Sequence, residues 1–152
     1  MPYNSPGNAI KILLAEDDQD DCYLFKLALD ELPLSFELTV VPNGEILMEY
    51  FYLKKGKRPD VLFMDLNMPR KNGFQCLSEI RRNVYLKQLP VIVYSTSLQQ
   101  DVVNLLYING AQHYFRKPND FHLLKKLIYQ AVSTTLGTGF LQPAIEEFVL
   151  SE

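Results

Sequence analysis

The chain has 152 residues, of which 47% are hydrophobic and 22% are charged, and this composition is typical of a soluble globular protein with one domain. The formal net charge of −3 argues against nucleic acid or an anionic membrane surface as the partner. No apolar run reaches the roughly 20 residues that a membrane-spanning helix needs, and the N-terminus lacks the pattern of a signal peptide, so we expect a cytoplasmic protein. Cys22 and Cys76 are far apart in the sequence, which favours two free thiols.

Apolar runs that are typical of buried strands alternate along the chain with segments whose apolar residues recur at helical spacing. The predicted strands are 9–15, 36–41, 60–64, 89–97 and a short one within 111–118. The predicted helices lie within 22–32, 42–56, 74–83, 98–110 and 119–136. Five strand-then-helix units in succession predict an α/β fold with a parallel sheet and right-handed crossovers.

The last residues of the chain depart from this alternation. We expect an N-terminal extension, a folded domain and a C-terminal extension over residues 1–8, 9–135 and 136–152, respectively. Gly137 and Gly139 predict a hinge at the start of the C-terminal extension. The apolar side chains of this extension include those of Phe140, Ile145 and Phe148. They either fold back on the domain or bind another chain, and the sequence favours neither.

Polar and charged residues follow the predicted strands at the points where these strands end. They are Glu16, Asp17 and Asp18 after the first strand, Asp65 after the third, Ser95 and Thr96 near the end of the fourth, and Lys117 after the fifth. In open α/β sheets the carboxyl ends of the strands form the edge at which ligands bind. Clustered carboxylates are usually held by a hard cation, and oxygen ligands with open water positions suit Mg²⁺. A carboxylate beside Mg²⁺ and a lysine can also act as a nucleophile and form an acyl phosphate.

Four motifs, in this order and at this spacing, resemble the receiver domain of two-component response regulators. They are ILLAEDD (12–18), DLNMPRKNG (65–73), PVIVYSTS (90–97) and GAQHYFRKP (110–118). Ser95 follows Asp65 by 30 residues and Lys117 follows it by 52, a spacing that agrees with the family. The resemblance covers roughly residues 9–135. It implies a flavodoxin-like (βα)5 fold, with a doubly wound parallel five-stranded sheet in the order 2-1-3-4-5.

The resemblance also implies a Mg²⁺ site at the carboxyl edge of the sheet. Asp17 and Asp65 would bind the ion directly, Glu16 would bind it through water, and Asn67 would offer its backbone carbonyl. The family's acidic pair directly follows the apolar run of the first strand, and this register selects Glu16 and Asp17. Asp18 falls one place beyond the pair and is expected to be a bystander.

Further residues match the positions that transfer and sense the phosphoryl group in this family. Asp65 is the expected phosphoacceptor, and Lys117 is the expected phosphate-binding lysine. Ser95 takes the position of the switch hydroxyl, where threonine is commoner, and Tyr114 takes that of the switch aromatic ring. Thr96 stands where a smaller alanine is frequent, so we expect it to narrow the approach of water and to lengthen the life of the acyl phosphate.

The function that the resemblance implies is a phosphorylation-dependent signalling switch. A histidine kinase or a histidine phosphotransfer protein would donate the phosphoryl group, and a downstream protein partner would respond, without a DNA-binding output domain. DLNMPRKNG, the long second helix and the extended tail are similar to single-domain regulators of phytochrome-type histidine kinases, a subfamily that contains homodimers. We expect the chain to catalyse only its own phosphorylation and dephosphorylation, and not to be a metabolic enzyme.

Two other functions fit part of the pattern. A Mg²⁺-dependent aspartyl-phosphate phosphohydrolase of the haloacid-dehalogenase kind also uses a strand-end aspartate. That class needs a second aspartate two residues later, where this chain has Asn67. A phosphorylation-independent adaptor would keep the fold without the chemistry, but the presence of Asp65, the acidic pair and Lys117 argues against it.

Overall fold

The computed structural model describes residues 9–53, 58–138 and 141–151. The predicted N-terminal extension over 1–8, as well as Gly139 and Phe140, lies outside the described residues. In the described ranges no helix is long and apolar enough to cross a membrane. Cys22 and Cys76 are both free thiols, as predicted.

Strands and helices alternate along the chain as the sequence pattern predicts. The strands are β1 (Ile10–Ala15), β2 (Phe36–Val41), β3 (Val61–Asp65), β4 (Val91–Ser95) and β5 (His113–Arg116). The helices are α1 (Gln19–Asp30), α2 (Gly44–Leu53), α3 (Gly73–Arg82), α4 (Gln100–Ile108) and α5 (Phe121–Thr138), and a short 3-10 helix follows at Ile145–Glu147. The prediction placed the start of helix α1 at Cys22, but the helix begins three residues earlier, at Gln19. It does so because the side chain of Asp18 accepts a hydrogen bond from the backbone N–H of Asp21 at 2.9 Å and caps the helix.

All five strands are parallel, and their order β2-β1-β3-β4-β5 confirms the predicted doubly wound sheet. The central strands β1, β3 and β4 are buried almost throughout because helices cover both faces of the sheet. Leu13 and Met64 face a core that includes side chains of α2, α3 and α4. Leu14 and Phe63 face the opposite core, which includes side chains of α1 and α5. The side chains of neighbouring residues in one strand thus point to opposite faces of the sheet and pack in different cores.

The carboxyl ends of four strands lie at one edge of the sheet. Asp65 is the last residue of β3, and Ser95 is the last residue of β4. Glu16 directly follows β1, and Lys117 directly follows β5. The backbone N–H of Lys117 donates to the carbonyl of Ser95 at 2.7 Å, which fixes the start of the loop after β5. The fold therefore brings residues that are far apart in the sequence to a common edge.

Helix α5 is longer than the sequence pattern predicts. It runs through Gly137 to Thr138, so the predicted hinge at Gly137 is wrong, and the helix crosses the expected domain boundary at residue 135. A glycine costs a helix about 1 kcal/mol relative to alanine. The burial of Ile128 and Val132 in the core outweighs that cost and holds the helix together.

The C-terminal segment 141–151 folds back on the domain and pairs with β5. The backbone N–H of Tyr114 donates to the carbonyl of Phe148 at 3.2 Å, and the N–H of Leu150 donates to the carbonyl of Tyr114 at 2.8 Å. These two bonds give Val149 a parallel bridge to Tyr114. The segment thereby satisfies backbone groups that the edge strand β5 would otherwise expose.

Phe148 anchors this segment in the core. Its side chain is fully buried, and its ring lies edge-to-face against that of Tyr107, with 5.1 Å between the ring centroids. The hydroxyl of Tyr107 donates to the carbonyl of Pro143 at 2.7 Å and adds a second attachment. Ile145, in contrast, remains 42% exposed. Phe148 therefore folds back on the domain, whereas Ile145 faces solvent.

We predict that Phe148→Ala lowers the free energy of unfolding by about 3–5 kcal/mol, the usual cost of deleting a buried phenylalanine side chain. Urea unfolding of the full chain measures this loss. The control Ile145→Ala removes an exposed side chain from the same segment and should change the free energy by less than about 0.5 kcal/mol. Equal effects of the two substitutions would show that the segment is not packed in this way.

Candidate functional site

Three carboxylates meet at the carboxyl edge of the sheet. Glu16 and Asp65 are buried, whereas Asp17 is exposed. One carboxylate oxygen from each of these residues lies within 4.8 Å of those from the other two. Asp18 lies outside this group and caps α1. The structure thus brings together the three acidic side chains that the resemblance assigns to the metal site.

The loop after β3 holds Asp65 in place. The backbone N–H of Asn67 donates to Oδ1 of Asp65 at 3.0 Å, and the N–H of Gly73 donates to the carbonyl of Leu66 at 2.9 Å. Arg70 has a φ of 69°, which is uncommon for a residue other than glycine. A Cβ atom at position 73 would lie 2.9 Å from the Cα of Leu66, so the close approach requires glycine. This tight loop engages Oδ1 of Asp65 and leaves Oδ2 to other partners.

Lys117 contacts three acidic side chains at once. Its Nζ lies 2.9 Å from Oδ2 of Asp65, 3.1 Å from Oε1 of Glu16 and 2.9 Å from Oδ2 of Asp21. Burial alone would lower the pKa of Lys117, but the hydrogen bonds to Asp21 and Asp65 outweigh it and raise the pKa above its usual value. The lysine therefore carries a positive charge at any physiological pH.

Glu16 is the carboxylate that burial affects most clearly. Burial raises the pKa of Glu16 to about 7; the hydrogen bond from the N–H of Asp18 opposes this rise, and the charge of Asp65 adds to it. The hydroxyl of Tyr94 donates to Oε1 at 2.9 Å, and the N–H of Asp18 donates to Oε2 at 3.1 Å. The ammonium of Lys117 lowers the pKa of Glu16, but burial outweighs it, so the ionised form of Glu16 is costly at this edge even beside that charge.

Ser95 and Tyr114 form a buried pair of hydroxyl groups. Both side chains are almost fully buried, and their hydroxyls are hydrogen-bonded to each other. Both hydroxyls also contact the carbonyl oxygen of Ser97, that of Ser95 at 2.8 Å, so two hydroxyl protons are shared among these three contacts. Burial raises the pKa of Tyr114, so its hydroxyl stays protonated. The two residues predicted for the switch are therefore in direct contact.

Thr96 lies beside the site, at the surface. It is exposed, and it lines the same cleft as Lys117 and Asp21. Asn67 is exposed as well, and its backbone N–H binds Asp65. Thr96 therefore lies in a solvent-accessible cleft next to Lys117.

Two residues of the site, Asp21 and Tyr94, are absent from the sequence prediction. Asp21 follows Asp17 by four residues, about one helical turn, and that spacing is the signal that could have placed it beside the acidic group. Tyr94 is the one polar side chain in VIVY, the apolar part of β4. A buried tyrosine hydroxyl needs a partner, so its position next to Ser95 pointed to the same edge.

The donor set of this edge suits a hard divalent cation. Three carboxylates offer oxygen ligands, and the exposure of Asp17 leaves one side open to water. The raised pKa of Glu16 is consistent with a cation site, because a bound cation would favour the ionised form of this buried carboxyl group. The residues present therefore fit Mg²⁺ or Mn²⁺.

Comparison with known proteins agrees with the fold. Residues 12–129 match the response regulator receiver domain family, and the chain belongs to that family. The chain is 31% identical to the response regulator Rcp1 of Synechocystis sp., over 88% of this chain and 93% of Rcp1. The predicted resemblance to receiver domains is thereby confirmed.

Two solved structures show the same fold over most of the chain. The phosphorylated cyanobacterial phytochrome response regulator RcpA superposes with a TM-score of 0.78 at 30% identity, covering 90% of this chain and 99% of RcpA. The Mn²⁺-bound form of Rcp1 superposes with a TM-score of 0.73 at 29% identity, covering 89% of this chain and 99% of Rcp1. The predicted similarity to regulators that work with phytochromes is confirmed by these matches.

The buried carboxyl group of Glu16 predicts a pH dependence of stability in the presence of a metal chelator. In the unfolded chain Glu16 loses its proton near pH 4.5, whereas in the folded chain it keeps the proton up to a pH of about 7. Between these values the folded state binds more protons, so the contribution of Glu16 to stability is present below pH 4.5 and is lost as the pH rises to 7.

We therefore expect the free energy of unfolding, measured by urea titration across this pH range, to fall less with rising pH in Glu16→Gln than in the wild type. Glu37→Gln makes the same chemical change at an exposed position of β2 and should follow the wild type. Equal pH dependence of Glu16→Gln and the wild type would show that Glu16 ionises normally in the fold.

Proposed function

We propose that this chain is a cytoplasmic signalling switch that accepts a phosphoryl group on Asp65 from a histidine kinase or a histidine phosphotransfer protein. The observation that carries the proposal is the setting of Asp65. One of its oxygens is 2.9 Å from Nζ of Lys117, and its carboxylate lies within 4.8 Å of those of Glu16 and Asp17. A nucleophile, a cationic group for the phosphoryl oxygens and a set of metal ligands are thus adjacent.

The reaction would be a transfer of the phosphoryl group from nitrogen to oxygen. A carboxylate oxygen of Asp65 forms a bond to phosphorus while the phosphorus–nitrogen bond of the phosphohistidine breaks, and the imidazole leaves with that electron pair. Lys117 is within reach of Asp65 and would bind an oxygen of the transferring group. Hydrolysis would later release phosphate and restore the carboxylate.

The acidic edge would hold Mg²⁺ during this reaction. Asp17 and Asp65 would bind it directly, Glu16 through water, and Asn67 through its backbone carbonyl. The bound ion would offset the negative charge of the phosphoryl oxygens. The fit of the donor set and the likeness to Rcp1, which has been solved in a Mn²⁺-bound form, support this assignment.

The phosphoryl group would change the surface around β5. A phosphoryl oxygen that attracts the hydroxyl of Ser95 toward Asp65 would alter its contact with Tyr114. Tyr114 also carries the backbone bonds to the C-terminal segment 141–151, so the change would reach the surface formed by α4, β5, α5 and that segment. A downstream protein, or a second copy of the chain, would respond to this surface.

The position of Asn67 argues against the alternative of a phosphohydrolase. Its amide does not ionise and cannot serve as the general acid and base that such an enzyme needs two residues after its nucleophile. The chain would accordingly act as a switch and would catalyse only its own phosphorylation and dephosphorylation. Turnover of a phosphomonoester would support the enzyme instead.

The proposal predicts stoichiometric labelling of the chain by acetyl phosphate in the presence of Mg²⁺. Asp65→Asn should abolish labelling because the amide is a much weaker nucleophile than the carboxylate. Asp20→Asn makes the same chemical change at an exposed position of α1 and should label like the wild type. An unlabelled wild type, or equal labelling of wild type and Asp65→Asn, would reject the proposal.

The size of Thr96 predicts a slow loss of the phosphoryl group. The side chain lines a solvent-accessible cleft beside Lys117, which contacts Asp65, so Thr96→Ala should widen the approach of water to the acyl phosphate. We expect dephosphorylation to become faster by up to about tenfold, a change of about 1.4 kcal/mol in the barrier. The decay of labelled protein after removal of acetyl phosphate measures the rate.

The remote variant Thr39→Ala, in the edge strand β2, controls for the loss of a threonine side chain and should decay like the wild type. Decay of Thr96→Ala that is no faster than that of the wild type would show that Thr96 does not restrict water.

A further inference from the structure

Tyr94 places a phenol hydroxyl inside the acidic edge of the sheet. It is the residue of β4 before Ser95 and is only 4% exposed. Its ring stacks on that of Phe115, with 5.4 Å between centroids and 10° between planes. Its hydroxyl donates to Oε1 of Glu16 at 2.9 Å. The ring is therefore fixed by packing, and the hydroxyl binds a carboxylate of the candidate metal site.

Three donors hold the carboxylate of Glu16, and they differ in how freely they can move. The backbone N–H of Asp18 binds Oε2 at 3.1 Å, while Lys117 and Tyr94 both bind Oε1. The lysine side chain is long and shares its ammonium group with Asp21 and Asp65. Tyr94, in contrast, has a rigid side chain, packed in the core. It is the side-chain donor whose position does not depend on the other acidic groups.

Lys117 would gain a further partner in the proposed reaction. It would bind the phosphoryl group on Asp65, so its ammonium group would be shared among more anionic oxygens than in the unphosphorylated chain. The hydrogen bond from Tyr94 involves no atom of Lys117 and can persist in both states. Partners that orient a metal ligand typically contribute tenfold or more to metal affinity.

We infer that Tyr94 is a positioning residue, whose hydroxyl holds the carboxylate of Glu16 toward the divalent cation. It does so both when Lys117 contacts Glu16 and when Lys117 binds the phosphoryl group. This inference rests on the proposed function, because it requires the acidic edge to bind a metal ion. It extends the site to a residue of β4 that touches neither the metal nor the phosphoryl group. It also explains why an apolar strand carries a buried tyrosine there.

The test is Mn²⁺ binding to the unphosphorylated full chain, followed through the electron paramagnetic resonance signal of free Mn²⁺. Tyr94→Phe keeps the ring and its stacking on Phe115 but removes the hydroxyl, and its dissociation constant should rise about tenfold. Tyr107→Phe removes a hydroxyl that binds the carbonyl of Pro143 at 2.7 Å, outside the site, and should bind like the wild type.

A double-mutant cycle with Glu16→Gln separates positioning from a general effect on the fold. If Tyr94 acts through Glu16, Tyr94→Phe should cause no further loss of Mn²⁺ affinity in the Glu16→Gln background. Labelling by acetyl phosphate should recover in Tyr94→Phe at saturating Mg²⁺, since the defect is in affinity. A second variant, Tyr94→Leu, also lacks the hydroxyl and should show at least the same loss of affinity.

Each result of this cycle supports or overturns the inference. Mn²⁺ affinity that is unchanged in Tyr94→Phe, or an equal loss in the wild-type and Glu16→Gln backgrounds, would overturn the role of Tyr94 and leave the proposed function standing. A wild type that binds no Mn²⁺ would overturn the metal site itself, and the inference with it. A tenfold loss that disappears in the Glu16→Gln background would support it.

Discussion

One ammonium group counters the charge repulsion at the carboxyl edge of this sheet. Nζ of Lys117 lies within 3.1 Å of carboxylate oxygens from Glu16, Asp21 and Asp65, which would otherwise repel one another at a partly buried site. These groups come from the ends of β1 and β3, the first turn of α1 and the loop after β5. The strand order β2-β1-β3-β4-β5 brings them within reach. A negative excess remains at the edge, and it favours a divalent cation.

Tyr114 connects this edge to the C-terminal segment. Its hydroxyl is bonded to that of Ser95, at the end of β4, while its backbone is bonded to Phe148 and Leu150. A change at Ser95 therefore acts on a residue that also anchors the segment. Under the proposed function, this connection is the path from the phosphoryl group to the surface that a partner would contact. The buried ring of Phe148 keeps the segment in place.

Much of the fold could be predicted because buried parallel strands and amphipathic helices leave clear patterns in the sequence. The acidic edge was predictable as well, since Glu16 and Asp65 end apolar runs and Lys117 follows the predicted fifth strand. Contacts that depend on where a helix begins, or on how one side chain fits in the core, were not predictable from the sequence. The pairing of Asp21 with Lys117 depends on where α1 begins, and the return of the tail depends on the fit of Phe148 in the core. The predicted hinge at Gly137 was wrong, because the packing of α5 against the core outweighs the low helix propensity of glycine.

The most direct test of the account is the position of the phosphoryl group on the chain. Borohydride reduces an aspartyl phosphate to homoserine, and peptide mass spectrometry assigns that change to one residue. After treatment with acetyl phosphate and Mg²⁺, we expect homoserine at position 65, with Asp17 and Asp21 unchanged. Homoserine at another position, or none in any peptide, would contradict the account.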